Sequence, residues 1–184
     1  MWHPLDYLTP EGWPAWALFA ALFCATAFFA VKTKADLATA EAPLAAISLE
    51  LAYSGERAGR IIDSWKEGGG AMLTEARRHL RYDSYLIVAY SLLLALGCVI
   101  AAREMHERGS VPFCVALAVA WLPLLAGAFD FVENSAMGRM LDSGATDALA
   151  RRAHLFASLK FLLLGGAVVF TLAGFATALW KRLG

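Results

Sequence analysis

The chain has 184 residues, 59% of them hydrophobic and only 17% charged, and its 16 basic and 16 acidic side chains leave no formal net charge. Globular domains carry about 25% charged residues, so this composition and the mean hydropathy of +0.55 exclude an ordinary soluble domain. The balanced charge, with no polybasic tract, excludes a nucleic-acid surface as well.

The apolar residues gather into four charge-free blocks, Pro14–Val31, Ser84–Ala102, Val111–Phe129 and Phe161–Trp180. At about 1.5 Å per residue each block covers the roughly 30 Å hydrocarbon core of a bilayer. Their apolar runs are continuous rather than alternating, which selects helices over barrel strands. The expected fold is all-α: a single membrane domain of four transmembrane helices, residues 1–184, with an amphipathic segment between the first two spans. Before the first block, Met1 to Trp13 contain no Lys or Arg to begin a signal peptide, and no cleavage site follows the block.

Between the first and second spans lies the amphipathic stretch 43–66. Pro43 sits where helices start, and Leu44, Ile47, Leu51, Ala58, Ile61, Ile62 and Trp65 recur at near-helical spacing. Glu50, Glu56, Arg57, Arg60 and Asp63 fall between them. Gly55 marks a weak point, giving one bent helix or two short ones. The stripe is expected to lie on the membrane or over the mouth of the bundle. Gly68, Gly69 and Gly70 then break the chain before the residues leading into span two.

In the third span, Pro123 should kink or loosen the helix. Gly165, Gly166 and Gly174 in the fourth permit close helix approach. Cys24, Cys98 and Cys114 all lie in apolar blocks without C-x-x-C spacing, so they read as small hydrophobes rather than disulfide or metal ligands.

Lys and Arg sort unevenly between the two sides. Eleven lie in the segments joining spans one to two and three to four, whereas Arg103, Arg108, Lys181 and Arg182 make four on the other side. The positive-inside rule then places both termini outside the cytoplasm. Trp2, Trp13, Trp16 and Trp180 gather at that outer interface like an aromatic belt.

Ionisable groups beside the spans are the candidate site, because burying them without partners is costly. Asp83 opens span two, Asp130 and Glu133 close span three, and Lys160 enters span four. Asn134 joins them, since Asp130, Glu133 and Asn134 are spaced i, i+3, i+4 and share one helix face. The short connection between spans three and four makes Lys160 the natural cation for these carboxylates. Such a cluster can hold a labile proton for acid–base chemistry; the plainer alternative is that these charges reach to the interface and fix register. His79 and His154 lie on the same side, but without H-x-x-x-H or E-x-x-H spacing they read as interfacial rather than metal-binding. Tyr85 and Tyr90 read as packing aromatics. No cofactor or metal motif is present.

The stretches "ELAYSGERAGRIIDSW", "DSYLIVAY", "DFVENSAM" and "LKF" resemble a group of small bacterial four-helix membrane proteins with no agreed molecular function. The resemblance implies that Asp83, Asp130, Glu133, Asn134 and Lys160 act as a set, and it supplies no reaction. Three functions remain open. One is acid–base chemistry on a lipophilic isoprenoid or acyl substrate. Another is a non-catalytic membrane subunit or assembly factor. The third is a small proton- or cation-coupled transporter, which the lack of a midplane charge disfavours. The expected partners are membrane lipids, a lipophilic small molecule, and a second copy or another membrane protein.

Overall fold

The computed structural model describes residues 3–9, 11–67, 70–107 and 112–183, the side chains of 181–183 excepted. Met1, Trp2, Gly68, Gly69, Arg108, Val111 and Gly184 lie outside the described residues, as do the side chains of Lys181 and Arg182. The fold is all-α, 83% helical, and the element order is α1 (Pro4–Leu8), α2 (Trp13–Lys32), α3 (Ala46–Glu50), α4 (Gly55–Glu67), α5 (Ala71–His106), α6 (Phe113–Val119), α7 (Leu122–Ser143) and α8 (Asp147–Leu183). Among the described residues, four helical stretches are long and apolar enough to cross a membrane: α2, α5, α6 with α7, and α8 up to Trp180. Helices α5, α7 and α8 run beyond their apolar blocks and carry polar residues at those ends.

The break between α6 and α7 follows from Pro123, which sits in the first turn of α7 and has no N–H to offer the preceding turn. Ala120 N and Trp121 N bond instead to Leu117 O and Ala118 O, both at 3.2 Å, the tighter i to i−3 pattern. The span is thus interrupted just ahead of the proline.

Contacts divide the chain into two compact units. Unit 1 comprises residues 1–27, 88–127 and 161–184. Its core joins Cys98, Val99, Leu117, Ala120 and Ala167, with a second group of Ala15, Leu96 and Ile100 under Trp16, Phe19 and Phe175. A Cβ on Gly174 would stand 2.2 Å from Ala101 Cβ, so only glycine lets α8 meet α5 there. Gly165 has no neighbour within 4 Å of a built Cβ, and at Gly166 the nearest atom is 3.9 Å away. Only the last of the three glycines thus serves the close approach expected of them. Short α1 is tied down by the fully buried His3, whose Nδ1 accepts from Leu5 N and whose Nε2 reaches Ala120 O at 3.2 Å.

Unit 2 comprises residues 28–87 and 128–160. Its core is built from Leu37, Leu49, Ile61, Ile62 and Trp65 against Ala136, Met137, Met140, Ala150 and Ala153. Trp65 is 1% exposed and donates Nε1–H to Leu37 O at 2.9 Å, satisfying its one polar atom in the core. The stretch holds two helices separated by residues 51–54, with Gly55 the first residue of α4. Ser54 Oγ accepts from Arg57 N at the start of α4, and Gly55 N donates to Asp147 Oδ1 at 2.7 Å. A Cβ on Gly55 would stand 2.7 Å from Thr146 C and Asp147 N, so glycine is required for that contact. The apolar stripe divides accordingly: Ala58, Ile61, Ile62 and Trp65 are buried, whereas Leu44, Ile47 and Leu51 are exposed. The expected continuous stripe fails because α3 turns Leu49, Glu50 and Ala46 inward instead.

Candidate functional site

The site belongs to unit 2, and each of its groups is carried by a helix whose packing sets its phase. On α7, Asp130 and Glu133 are one turn apart, with Ala136, Met137 and Met140 of the core continuing the same inward face. Phe131, off that face, is exposed. On α8, Ala150, Ala153 and Ala157 are fully buried and lead in steps of three and four to Lys160. The alanines bring the α8 backbone close, and the long lysine stem then reaches inward.

Lys160 Nζ lies 2.8 Å from Asp130 Oδ1 and 2.8 Å from Glu133 Oε2. A third carboxylate comes from α3, with Glu50 Oε2 at 3.4 Å. These groups are sealed from solvent: Glu133 is 0% exposed, Asp130 4%, Lys160 6% and Glu50 9%. Beside them Asn134 Nδ2 donates to Asp83 Oδ2 at 2.7 Å, pairing α7 with α5. Asp83 is close enough to Asp130 and Lys160 to interact with their charge. All five groups expected from the sequence therefore come together, as an ion cluster and an adjoining amide–carboxylate pair.

The distribution of hydrogen bonds within the cluster is uneven. Glu133 Oε1 is buried with no hydrogen-bond partner among the described residues, and Oε2 meets Lys160 as an ion pair of poor hydrogen-bond geometry. Buried carboxyl oxygens are seldom left in this state, and an exception calls for a chemical explanation. Three carboxyl groups surround one ammonium, and a buried group of this composition approaches neutrality only by taking up protons.

Glu50 is the residue that the sequence reading missed. Its spacing puts it among the polar groups between apolar positions, but it is nine-tenths buried and faces Lys160. The available signal was its isolation: it is the one charge between Ala42 and Ser54. The α3 helix that brings it spans only five residues and follows Ala45, which adopts φ 54° and ψ −128°. That backbone conformation is strained for any residue with a Cβ, by about 1–3 kcal/mol.

The other polar groups considered are engaged elsewhere. His79 Nδ1 lies 2.6 Å from Thr33 O near the end of α2. His154 meets the Tyr53 ring edge-on at 5.5 Å. Tyr85 stacks on Phe29 at 5.5 Å. Among the described residues no three His, Cys, Asp or Glu side chains are arranged to hold a metal ion.

Four membrane-length apolar helices, with large exposed side chains such as Phe23, Leu162, Val169 and Leu172, define a polytopic α-helical membrane protein. No protein-family model, curated protein or solved structure matches the chain.

Proposed function

We propose that this membrane protein performs acid–base chemistry on a lipophilic substrate of the isoprenoid or acyl class, with Glu133 as the group that gives and takes the proton. The observation that carries this reading is the fully buried Glu133 carboxyl, with one oxygen beside the Lys160 ammonium and the other without a hydrogen-bond partner among the described residues. In this scheme Lys160 and Asp130 are positioning residues. Asp130 anchors the ammonium, and the ammonium stabilises the carboxylate that Glu133 becomes after donating its proton. The Asp83–Asn134 pair fixes the rotation of α7 relative to α5.

Access is given by α3. This short helix covers the cluster through Glu50, the longest of the three lysine contacts, and it follows the strained Ala45. Leu44, Ile47 and Leu51 on its outer side offer an apolar surface to an incoming chain. The basic asymmetry supports placing the segments that join spans one to two and three to four, and not the termini, on the cytoplasmic side of the membrane. A fusion at Gly184 of a reporter active only outside the cytoplasm should give signal.

A second reading, a non-catalytic subunit or assembly factor in which the cluster locks α3 down, is favoured by the depth of burial. Lipid extracts of cells expressing wild type and Glu133→Gln separate the two. Catalysis predicts at least one lipid species whose level depends on Glu133 while the variant folds and melts like wild type. Identical extracts together with a clearly lower unfolding temperature would establish the lock.

A further inference from the structure

The buried cluster of unit 2 can give up and regain a proton only if water can deliver one, yet Asp130, Glu133, Lys160 and Glu50 are all at least nine-tenths buried. We propose that Asp83, fed by His79, is the port through which this cluster exchanges protons with water. The inference rests on Glu133 holding the proton, and it adds the route by which that proton is replaced.

Exposure singles out Asp83. It is half-buried, and the charged residues before it on α5, Arg77, Arg78 and Arg81, are exposed. This part of α5 therefore stands at the polar end of the helix, where a side chain meets water rather than hydrocarbon. Glu50, the carboxyl at the opposite edge of the cluster, is flanked on α3 by the exposed Ile47 and Leu51. That surround is apolar and favours lipid over water.

The inner side of Asp83 is held against α7. Its Oδ2 accepts from Asn134 Nδ2 at 2.7 Å, and Asn134 is one helical turn from Asp130 on the same face. Asp83 lies near enough to Asp130, Lys160 and His79 to interact with the charge of each. His79 supplies the outer step. It precedes Asp83 by four residues, one turn along the same face of α5. Its Nδ1–H donates to Thr33 O at 2.6 Å, so Nε2 is the nitrogen of the neutral ring that accepts a proton. Imidazole is a common shuttle in this form.

The relay conserves every proton. Glu133, after donating its own, is a carboxylate 2.8 Å from Lys160 Nζ. The ammonium gives it a proton and takes one back through Asp130, whose Oδ1 is also 2.8 Å away. Asp130 receives that proton from Asp83 by way of one water, Asp83 from the His79 imidazolium, and His79 from bulk water. The sum is one proton moved from water to Glu133, with every other group restored.

The test uses the full chain reconstituted in membranes. Infrared spectra follow the Glu133 carboxylic acid band as the buffer is switched from water to deuterated water, and the amide II band of the same sample reports opening of the backbone. Asp83→Asn keeps an oxygen to accept from Asn134 but cannot carry the proton. Positioned proton-transfer groups are worth about 10²–10⁴-fold in rate, so this variant should slow the shift of the Glu133 band at least roughly tenfold. Amide exchange should stay at the wild-type rate. Asp142→Asn, at an exposed carboxylate paired with Arg77, should leave both rates alone. A Glu133 band that shifts as fast in Asp83→Asn as in wild type would overturn the port, as would a slowing matched by the same slowing of amide exchange. Should Asp83→Asn not fold, His79→Gln takes its place, with the same slowing expected and an unchanged rate overturning the route. A wild type without a Glu133 band would instead refute the proton-holding role itself, and the port with it.

Discussion

Replacing Lys160 with methionine removes the one cation that touches three carboxyl groups while nearly keeping the volume of the side chain. With Asp130 and Glu50 at most 9% exposed, the carboxylates orphaned by the change have no route to water within the folded unit. Breaking a buried ion pair by deleting one partner costs about 3–5 kcal/mol. For a chain of this length each kcal/mol moves the unfolding midpoint by about 2–4 °C, so Lys160→Met should lower Tm in detergent by about 6–20 °C. Adding Asp130→Asn removes one of the stranded charges, and the double variant should recover at least about 1 kcal/mol, a non-additivity expected of residues in direct contact. The assay is thermal unfolding of wild type, both single variants and the double variant in one detergent. A loss below about 1 kcal/mol for Lys160→Met, with no recovery in the double variant, would refute the reasoning. Energies of that size belong to charges that reach solvent, as in an ion pair that merely fixes register.

Three further outcomes are expected. Gly174→Ala should destabilise by about 1–3 kcal/mol, because its Cβ would stand 2.2 Å from that of Ala101, whereas Gly165→Ala, with open space around it, should be neutral or stabilising; equal thermal shifts would argue against the α5–α8 contact. Ala45→Gly should raise stability by up to about 2 kcal/mol, because glycine adopts the observed backbone conformation without strain; a lower melting temperature would deny the strain at Ala45. Burial holds His3 below its ordinary pKa of 6.5, despite the neighbouring Asp6 carboxylate and the Ala120 carbonyl. The unfolded chain then takes up the proton first, so the His3 contribution is present above pH 6.5 and is lost as the pH falls through the folded value. His3→Phe should flatten that part of the stability profile, and unchanged pH dependence would contradict the docking of α1 through a neutral imidazole.

The spans were readable because a bilayer enforces charge-free runs, and such runs stand out in any sequence. Helix phase was readable where it is local: Asp130, Glu133 and Asn134 share a face by spacing alone, and the short α7–α8 connection brings Lys160 alongside. Glu50 was not readable for a tertiary reason. Helix α3 is five residues long, too short to carry a period, and its inward face is set by Leu49 and Ala46 packing into the unit 2 core. The start of α4 turned on Gly55, whose close contact with Thr146 and Asp147 is made across a distance that periodicity does not record.

The role of Glu133 as the proton-holding group is tested most directly by infrared spectroscopy of the carboxyl region in the membrane-reconstituted protein. Wild type at neutral pH should show the carbonyl stretch of a protonated carboxylic acid, shifted in deuterated water, and Glu133→Gln should remove it while Glu75→Gln, at the α5 residue paired with Arg78, leaves it intact. The same carboxylic acid band in wild type and Glu133→Gln, or none in either, would contradict the assignment.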